Sequence, residues 1–324
     1  MLDRHSLQNL LEISAHTIFG PALHTLEICI DHLTEEMPVV EPGTWIQPES
    51  QDVLAETFTW ANINEEAYQH YLADQKRVGE CGLDSAYLTR AMINLSNCKC
   101  IYVNDTHRPW GAASQKRQTG VRPTSNMECM DSVDYIKRTV KVVLAAIMAS
   151  QISLDLFEIS PGYNRQAMSP EMLPLWQDIY LSRPLSQPTR VACLSLMINP
   201  KPSGRYQTWA QDLVAFIELF PALEKLSLYF FDCDVKNGGL KALSTSLRLP
   251  FLKVLSITSA DCAENDLATL FLGHKDTLRE IELDCVDIIE GEESWTSLKL
   301  IVHEHLSVEK FYRVTEDDQR ESLL

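Results

Sequence analysis

The sequence predicts an α/β fold: a leucine-rich-repeat-like curved solenoid, with parallel strands on its concave face and helices on its convex face. A six-residue pattern, apolar-x-x-apolar-x-apolar, recurs from residues 191, 223, 252 and 278, at intervals of 32, 29 and 26 residues, and helix-like segments lie between the copies. Such a period is typical of strand-plus-helix units that bury their apolar faces against one another. The copies are Val191-x-x-Leu194-x-Leu196, Leu223-x-x-Leu226-x-Leu228, Leu252-x-x-Leu255-x-Ile257 and Leu278-x-x-Ile281-x-Leu283.

Composition favours one packed body. The 324 residues are 45% hydrophobic and 23% charged, which excludes a disordered or fibrous chain, and a stack of repeats grows without the usual limit on domain size. We therefore predict a single solenoid over 1–324, with irregular insertions at about 37–76 and 104–131 and better-formed repeats over 191–314.

The irregular half contains its own helix and strand signals. Helical spacing predicts helices near the N-terminus, over 51–76, over 83–95 and from Val133 to Ile147, while 37–50 is rich in proline and 104–131 is a polar loop. Degraded copies of the pattern predict strands at Leu23-x-x-Leu26-x-Ile28, at 98–103 and at Leu154-x-x-Phe157-x-Ile159.

The regular half predicts helices over 209–220, 240–247, 266–274 and 295–305, followed by a strand near Phe311. The acidic end, Glu316 to Asp318, is expected to fray.

Alternation of side chains along a strand defines a candidate binding surface. If the fourth and sixth positions of each repeat face the core, the third, fifth and seventh face outward on the concave sheet. Three carboxylates on one strand suggest an acidic stripe for a basic ligand, with a solvated sheet face as the alternative. The candidate residues are Lys225, Ser227, Tyr229, Val254, Ser256, Thr258, Glu280, Glu282 and Asp284.

The nine cysteines are scattered along the chain, a distribution that favours free thiols in a reducing compartment. Asp232-Cys233 and Asp261-Cys262 both follow a repeat start by the same interval. They indicate either a thiol or metal site, or an Asp that caps the turn while the Cys fills the corner; we prefer the structural interpretation and predict no metal and no cofactor.

Net charge limits the classes of partner. A formal charge of −17 argues against nucleic acid and favours basic protein surfaces. The one basic cluster, Lys116, Arg117 and Arg122, lies in the predicted polar loop. The longest apolar stretch, Val142 to Ala149, is far shorter than a membrane span, and no secretory signal is visible. We expect a cytoplasmic or nuclear protein with no membrane association.

Catalytic motifs give no support for an enzyme. Neither phosphate-binding glycine pattern occurs, and a Gly-x-Ser-x-Gly elbow is absent from the sequence. His303 and His305 stand two apart on a predicted helix and face different directions. We expect no catalytic residues, although an enzyme with an unrecognised site stays an alternative.

Several specific segments resemble fungal F-box proteins with leucine-rich-repeat-like domains. The resemblance covers most of the chain, more loosely in its middle. The segments are Leu255-Ser-Ile-Thr-Ser-Ala-Asp-Cys262, Asn265-Asp-Leu267, His274-Lys-Asp-Thr-Leu278-Arg-Glu-Ile-Glu-Leu283, Leu7-Gln-Asn-Leu10-Leu-Glu-Ile13-Ser, Phe19-Gly-Pro21 and Leu26-Glu-Ile28.

This resemblance implies an adaptor whose repeat domain holds a substrate for ubiquitin transfer. In that family the F-box docks on a Skp-type and cullin scaffold, but no F-box is visible here, which argues against that partner. The sequence therefore predicts a protein-interaction module resembling a substrate-recognition domain without its ligase handle. The alternative is a leucine-rich-repeat scaffold with no ubiquitin role.

Overall fold

A computed structural model describes residues 2–35, 63–106, 112–121, 123, 130–161, 168–174, 190–200, 209–230, 239–314 and 320–323. These residues form one nine-stranded sheet whose strands lie in chain order. The strands are β1 (Thr25–Cys29), β2 (Cys100–Asn104), β3 (Ser153–Ser160), β4 (Arg190–Ile198), β5 (Lys225–Phe230), β6 (Val254–Cys262), β7 (Glu280–Ile288), β8 (Lys310–Val314) and β9 (Arg320–Ser322).

Helices lie between most successive strands, as the repeat pattern predicts. A short 3-10 turn, Pro170–Met172, precedes β4. The helices are α1 (Arg4–Ala15), α2 (Phe19–Ala22), α3 (Glu65–Glu80), α4 (Leu83–Asn94), α5 (Ala112–Thr119), α6 (Met130–Ser150), α7 (Trp209–Ile217), α8 (Gly239–Ser246), α9 (Glu264–Leu272) and α10 (Glu292–His305).

Strands β1 to β8 pair in parallel, each with its neighbours in sequence. Parallel neighbours require a crossover, and crossovers are right-handed, so sequential strands carry their helices on one side of the sheet. The predicted α/β repeat fold with parallel, adjacent strands is confirmed. The curvature of the solenoid stays a prediction.

The repeat pattern forms the core because its apolar positions align across the strands. Leu226 pairs in register with Leu255, and Leu255 with Ile281; all three side chains are fully buried. The helices complete this interior, and the apolar residues of the 223, 252 and 278 copies belong to one hydrophobic cluster. Stacked repeats therefore share a continuous core, as a solenoid requires.

The predicted polar loop over 104–131 is wrong in part, because it contains α5. Ala112–Thr119 has no internal glycine or proline and packs against α3, while Val121 joins Tyr68 and Leu72 in a small separate core. Lys116 and Arg117 therefore lie on a helix rather than in a loop; Arg122 lies outside the described residues.

Helix α3 begins and ends later than the predicted 51–76. Its N-terminus is capped by Asn64, whose side chain accepts a hydrogen bond from the Ala67 N–H at 3.1 Å, and this cap defines the start. The helix runs to Glu80, and the rest of the predicted insertion over 37–62 lies outside the described residues.

The C-terminus adds a strand that the sequence analysis did not predict. β9 pairs antiparallel with β8, and Leu323 is buried, its N–H donating to the Phe311 carbonyl at 2.7 Å. The last parallel strand thereby has a neighbour on its outer edge. Glu316 to Asp318 lie outside the described residues.

Candidate protein-binding face

Parallel pairing brings the nine candidate residues together as three rows across β5, β6 and β7. Residues in a row face the same side of the sheet, and neighbouring strands lie about 4.8 Å apart, so each row spans roughly 10 Å. The rows are Lys225–Val254–Glu280, Ser227–Ser256–Glu282 and Tyr229–Thr258–Asp284. We call the sheet face that carries these rows on β3 to β8 the open face.

The side chains of the open face are accessible, in contrast to their neighbours along each strand. None of the nine is buried, and Tyr229 is the most exposed at 37%. Leu228 and Leu283, which alternate with them, are fully or almost fully buried on the helix side. The period of two therefore separates a core face from a face on which another molecule can bind.

The rows extend beyond the nine residues. Ser195 pairs in register with Ser227, and Tyr312 with Glu282, so the middle row includes three adjacent serines. The longer side chains of Lys225 and Tyr229 flank this serine line on β5. Ser195 was not among the predicted residues, although it holds the fifth position of the Val191 copy, which the same alternation places on the open face.

One of the three predicted carboxylates is already paired. The Lys310 ammonium donates to Glu280 Oε2 at 3.1 Å, and this hydrogen bond, together with the charge of Glu280, raises the pKa of Lys310 above its ordinary value. The acidic stripe of the sequence analysis is therefore weaker than three carboxylates. Glu282 and Asp284 are the other two carboxylates of the predicted set, while Lys225 adds a positive charge two strands away.

The cysteines near the open face behave as small apolar side chains. Burial raises the pKa of Cys193, although the charge of Lys225 opposes the shift, so this thiol is protonated at neutral pH. In the described part of the chain, no group of three or more His, Cys, Asp or Glu side chains is arranged to hold a metal ion.

Of the two Asp-Cys pairs, Asp261-Cys262 lies in the described part of the chain. Cys262 is almost fully buried at the end of β6, where burial raises its pKa to about 12. Asp261 does not cap the next helix: it lies within β6, and the N-cap of α9 is Ala263, which has no side-chain acceptor. Asp232 and Cys233 lie outside the described residues.

Comparisons with known proteins identify no family. Neither a family model nor a curated protein matches this chain. Among solved structures it is similar to the leucine-rich repeat-containing protein LegL7 from Legionella pneumophila, with 12% identity, a TM-score of 0.34, and coverage of 73% of this chain and 72% of that one. A TM-score this low does not establish a shared fold. The fold is therefore assigned from the strand order and the strand pairing.

Across the helices of the described ranges, none combines the length and the apolar character that crossing a bilayer demands.

Proposed function

We propose that this chain is a protein-interaction module that binds its partner on the open face, without catalytic activity or cofactor. The observation that carries the proposal is the register: Ser195, Ser227 and Ser256 align across three strands with none of them buried. Small side chains between longer ones give an extended partner segment room to lie across the strands. Polar hydroxyls supply adaptable hydrogen bonds.

Charge favours a partner with a basic surface. The chain carries −17, and Glu282 and Asp284 place negative charge at one end of the serine line. Complementary charge accelerates association and excludes acidic competitors. We place this interaction in the cytoplasm or nucleus.

The finer proposal is substrate recognition of the F-box kind, from a chain in which no F-box is visible. It depends on the resemblance of the repeat and N-terminal segments to that family. A scaffold with no ubiquitin role is the competing function, and the two differ in whether Skp-type and cullin subunits accompany the partner.

The experiment is quantitative affinity purification with charge-reversed variants. Glu282→Lys combined with Asp284→Lys changes the open face, whereas Glu293→Lys combined with Glu304→Lys makes the same change in net charge on the exposed side of α10. We expect a partner that wild type and the α10 variant retain and that the open-face variant loses by at least tenfold.

The recovered proteins distinguish the open-face contact from the alternatives. Equal recovery by the two variants would place the contact elsewhere and end the open-face proposal. Co-purification of Skp-type and cullin subunits with the partner supports the ligase role, and recovery of the partner without them supports the scaffold. Turnover of a substrate by the purified chain would contradict the absence of catalysis.

A further inference from the structure

The middle row of the open face has the same two residue types at each end of the serine line. On one side, strand pairing places Glu158 of β3 next to the serines and Tyr102 of β2 beyond it. On the other side, it places Glu282 of β7 next to the serines and Tyr312 of β8 beyond it. None of these four side chains is buried. Each end of the row therefore carries a carboxylate followed by an aromatic ring, and we call these two Glu-Tyr sets the end pairs.

The carboxylate of the first end pair is accessible and oriented. Phe157 and Ile159, its neighbours along β3, are fully or almost fully buried, whereas Glu158 is not. The Ser160 hydroxyl donates to Glu158 Oε1 at 2.7 Å. Within the ranges that the structure describes, Glu158 forms no ion pair. Its second oxygen can therefore accept a hydrogen bond from a partner.

An end pair has the chemistry that recognises a guanidinium group. Residues paired on adjacent parallel strands lie about 4.8 Å apart, so each ring stands beside its carboxylate. Burial raises the pKa of Tyr102, and the charge of Glu158 adds to the shift. An arginine can donate two parallel hydrogen bonds to a carboxylate and stack its planar group on a ring. A lysine ammonium is a point charge without that flat surface, so the end pairs favour arginine.

The distance between the end pairs limits the partner. Four strand intervals separate Glu158 from Glu282, which corresponds to roughly 19 Å at about 4.8 Å per interval. Six residues span roughly 20 Å in an extended chain and roughly 19 Å in a polyproline II helix. Their side chains repeat every two and every three residues respectively, so residues six apart face the same side in both conformations. Two arginines six residues apart therefore match the two carboxylates.

The centre of the open face does not favour a cation. Lys225 of β5 lies in the adjacent row, two strands from Glu158 and two strands from Glu282. The serine hydroxyls between the end pairs carry no charge. Lys310, near the second end pair, is already bonded to Glu280. The charge across the face thus alternates between negative, positive and negative, and an uninterrupted run of basic residues would place a cation near Lys225.

We propose that the open face binds an extended segment of a partner protein that carries two arginines six residues apart, with uncharged residues between them. The inference rests on the proposed function and specifies its partner. The segment crosses the strands along the serine line. One guanidinium donates to Glu158 and stacks on Tyr102, and the other makes the same contacts with Glu282 and Tyr312. The spacing of the arginines, rather than the net charge of the segment, determines affinity.

The test measures fluorescence polarisation of labelled peptides on the full chain at low ionic strength, where exposed charges are least screened. The first peptide has two arginines six residues apart in a glycine, serine and threonine background. The second has the same composition with the arginines adjacent. We expect the first to bind at least fivefold more tightly, because only it can engage both end pairs at once. Equal affinities, or no binding of either peptide, would overturn the proposal.

Two further peptides test the chemistry of the contact. A third arginine midway between the first two raises the charge of the peptide but should not raise its affinity, because it meets Lys225. Tighter binding would mean that net charge decides, which contradicts the proposal. Replacing both arginines by lysines should weaken binding several-fold, and equal binding of the lysine peptide would contradict the assigned stacking.

Variants of the chain locate the contact. Glu158→Gln keeps the oxygen that accepts from Ser160, so its melting temperature should not change. It should reduce the affinity of the six-apart peptide to that of the adjacent-arginine peptide, and Glu282→Gln should do the same. Glu293→Gln removes an equal charge from the exposed side of α10 and should leave the affinity unchanged. An equal loss in all three variants would indicate non-specific attraction and overturn the proposal.

The peptides and the affinity purification separate this inference from the proposed function. If the charge-reversed open-face variant loses its partner while the two-arginine peptides bind equally, the two-point contact is wrong and the open-face interaction stands. If that variant retains its partner and neither peptide binds, both are wrong.

Discussion

The two halves of the sheet share one apolar core but differ in the contacts that position their helices. Across β5 to β8, apolar residues in register form the interior, and α7, α8 and α9 each pack against the next helix. Around β1 to β3, longer helices contact several neighbours, and ion pairs link them: Arg4 with Asp74 at 3.0 Å, and Arg138 with Asp84 at 2.9 Å. Evenly spaced repeats align their apolar faces, whereas the irregular helices of the first half also form ion pairs across helix contacts.

Each half of the molecule also contains a buried histidine. His32 in the first half stacks on Tyr135 with ring centroids 4.3 Å apart, while His274 in the second half joins two repeats. Its Nδ1 donates to the Leu270 carbonyl at 2.8 Å, and its Nε2 accepts from the Leu249 N–H at 3.1 Å. His274 is therefore a neutral structural link between successive units.

The largest expected effect comes from truncating the apolar core of the regular half. Leu255→Ala removes a fully buried side chain and should lower the free energy of unfolding by about 3 kcal/mol, through lost burial and the cavity that remains. Denaturant unfolding measures this. Ser256→Ala, on the open face of the same strand, should change it by less than about 0.5 kcal/mol; similar losses in the two variants would contradict the separation of faces.

The next effect tests the ion pair that links α4 and α6. Asp84→Asn leaves the Arg138 guanidinium without its charge partner and should cost about 2 kcal/mol, less than a fully buried pair because Arg138 is 41% exposed. Glu224→Gln breaks the exposed pair with Lys253 in the regular half and should cost less than about 1 kcal/mol. An Asp84→Asn variant as stable as Glu224→Gln would show that packing alone holds α4 against α6.

The smallest effect is a pH dependence in the regular half. Burial lowers the pKa of His274 below its ordinary value of 6.5; the Leu270 carbonyl opposes the shift, and the charge of Arg248 adds to it. The unfolded chain therefore takes up the proton first as the pH falls. Stability from this residue is complete above about pH 6.5 and decreases as the pH falls towards the folded pKa, by up to about 1.4 kcal/mol per pH unit.

The measurement is the free energy of unfolding from pH 7.5 to 5. His274→Gln is less stable at pH 7.5, and its deficit should shrink at pH 5, because the variant lacks a group that titrates there. His32 is present in both proteins and cancels in the comparison. A deficit that stays constant across this range would show that His274 does not titrate differently in the folded chain.

Much of the fold was predictable because its signal is local. The positions of Leu226, Leu255 and Ile281 within their repeats, three residues after each start, are enough to predict strands, their inward faces and the outward rows. The helix α5 was missed because Ala112–Thr119 has few apolar residues to mark a face, and β9 because three residues carry little pattern.

By itself, the sequence determined the repeat, the parallel strand order and the parity that exposes Ser227 while burying Leu228. Only the tertiary structure decided which distant groups meet: Lys310 with Glu280 on the open face, and Arg138 of α6 with Asp84 of α4. The physical reason is the separation along the chain of the residues that encode each feature. Periodicity is encoded in contiguous residues, whereas a pair separated by 30 or 54 positions depends on where whole strands and helices come to rest.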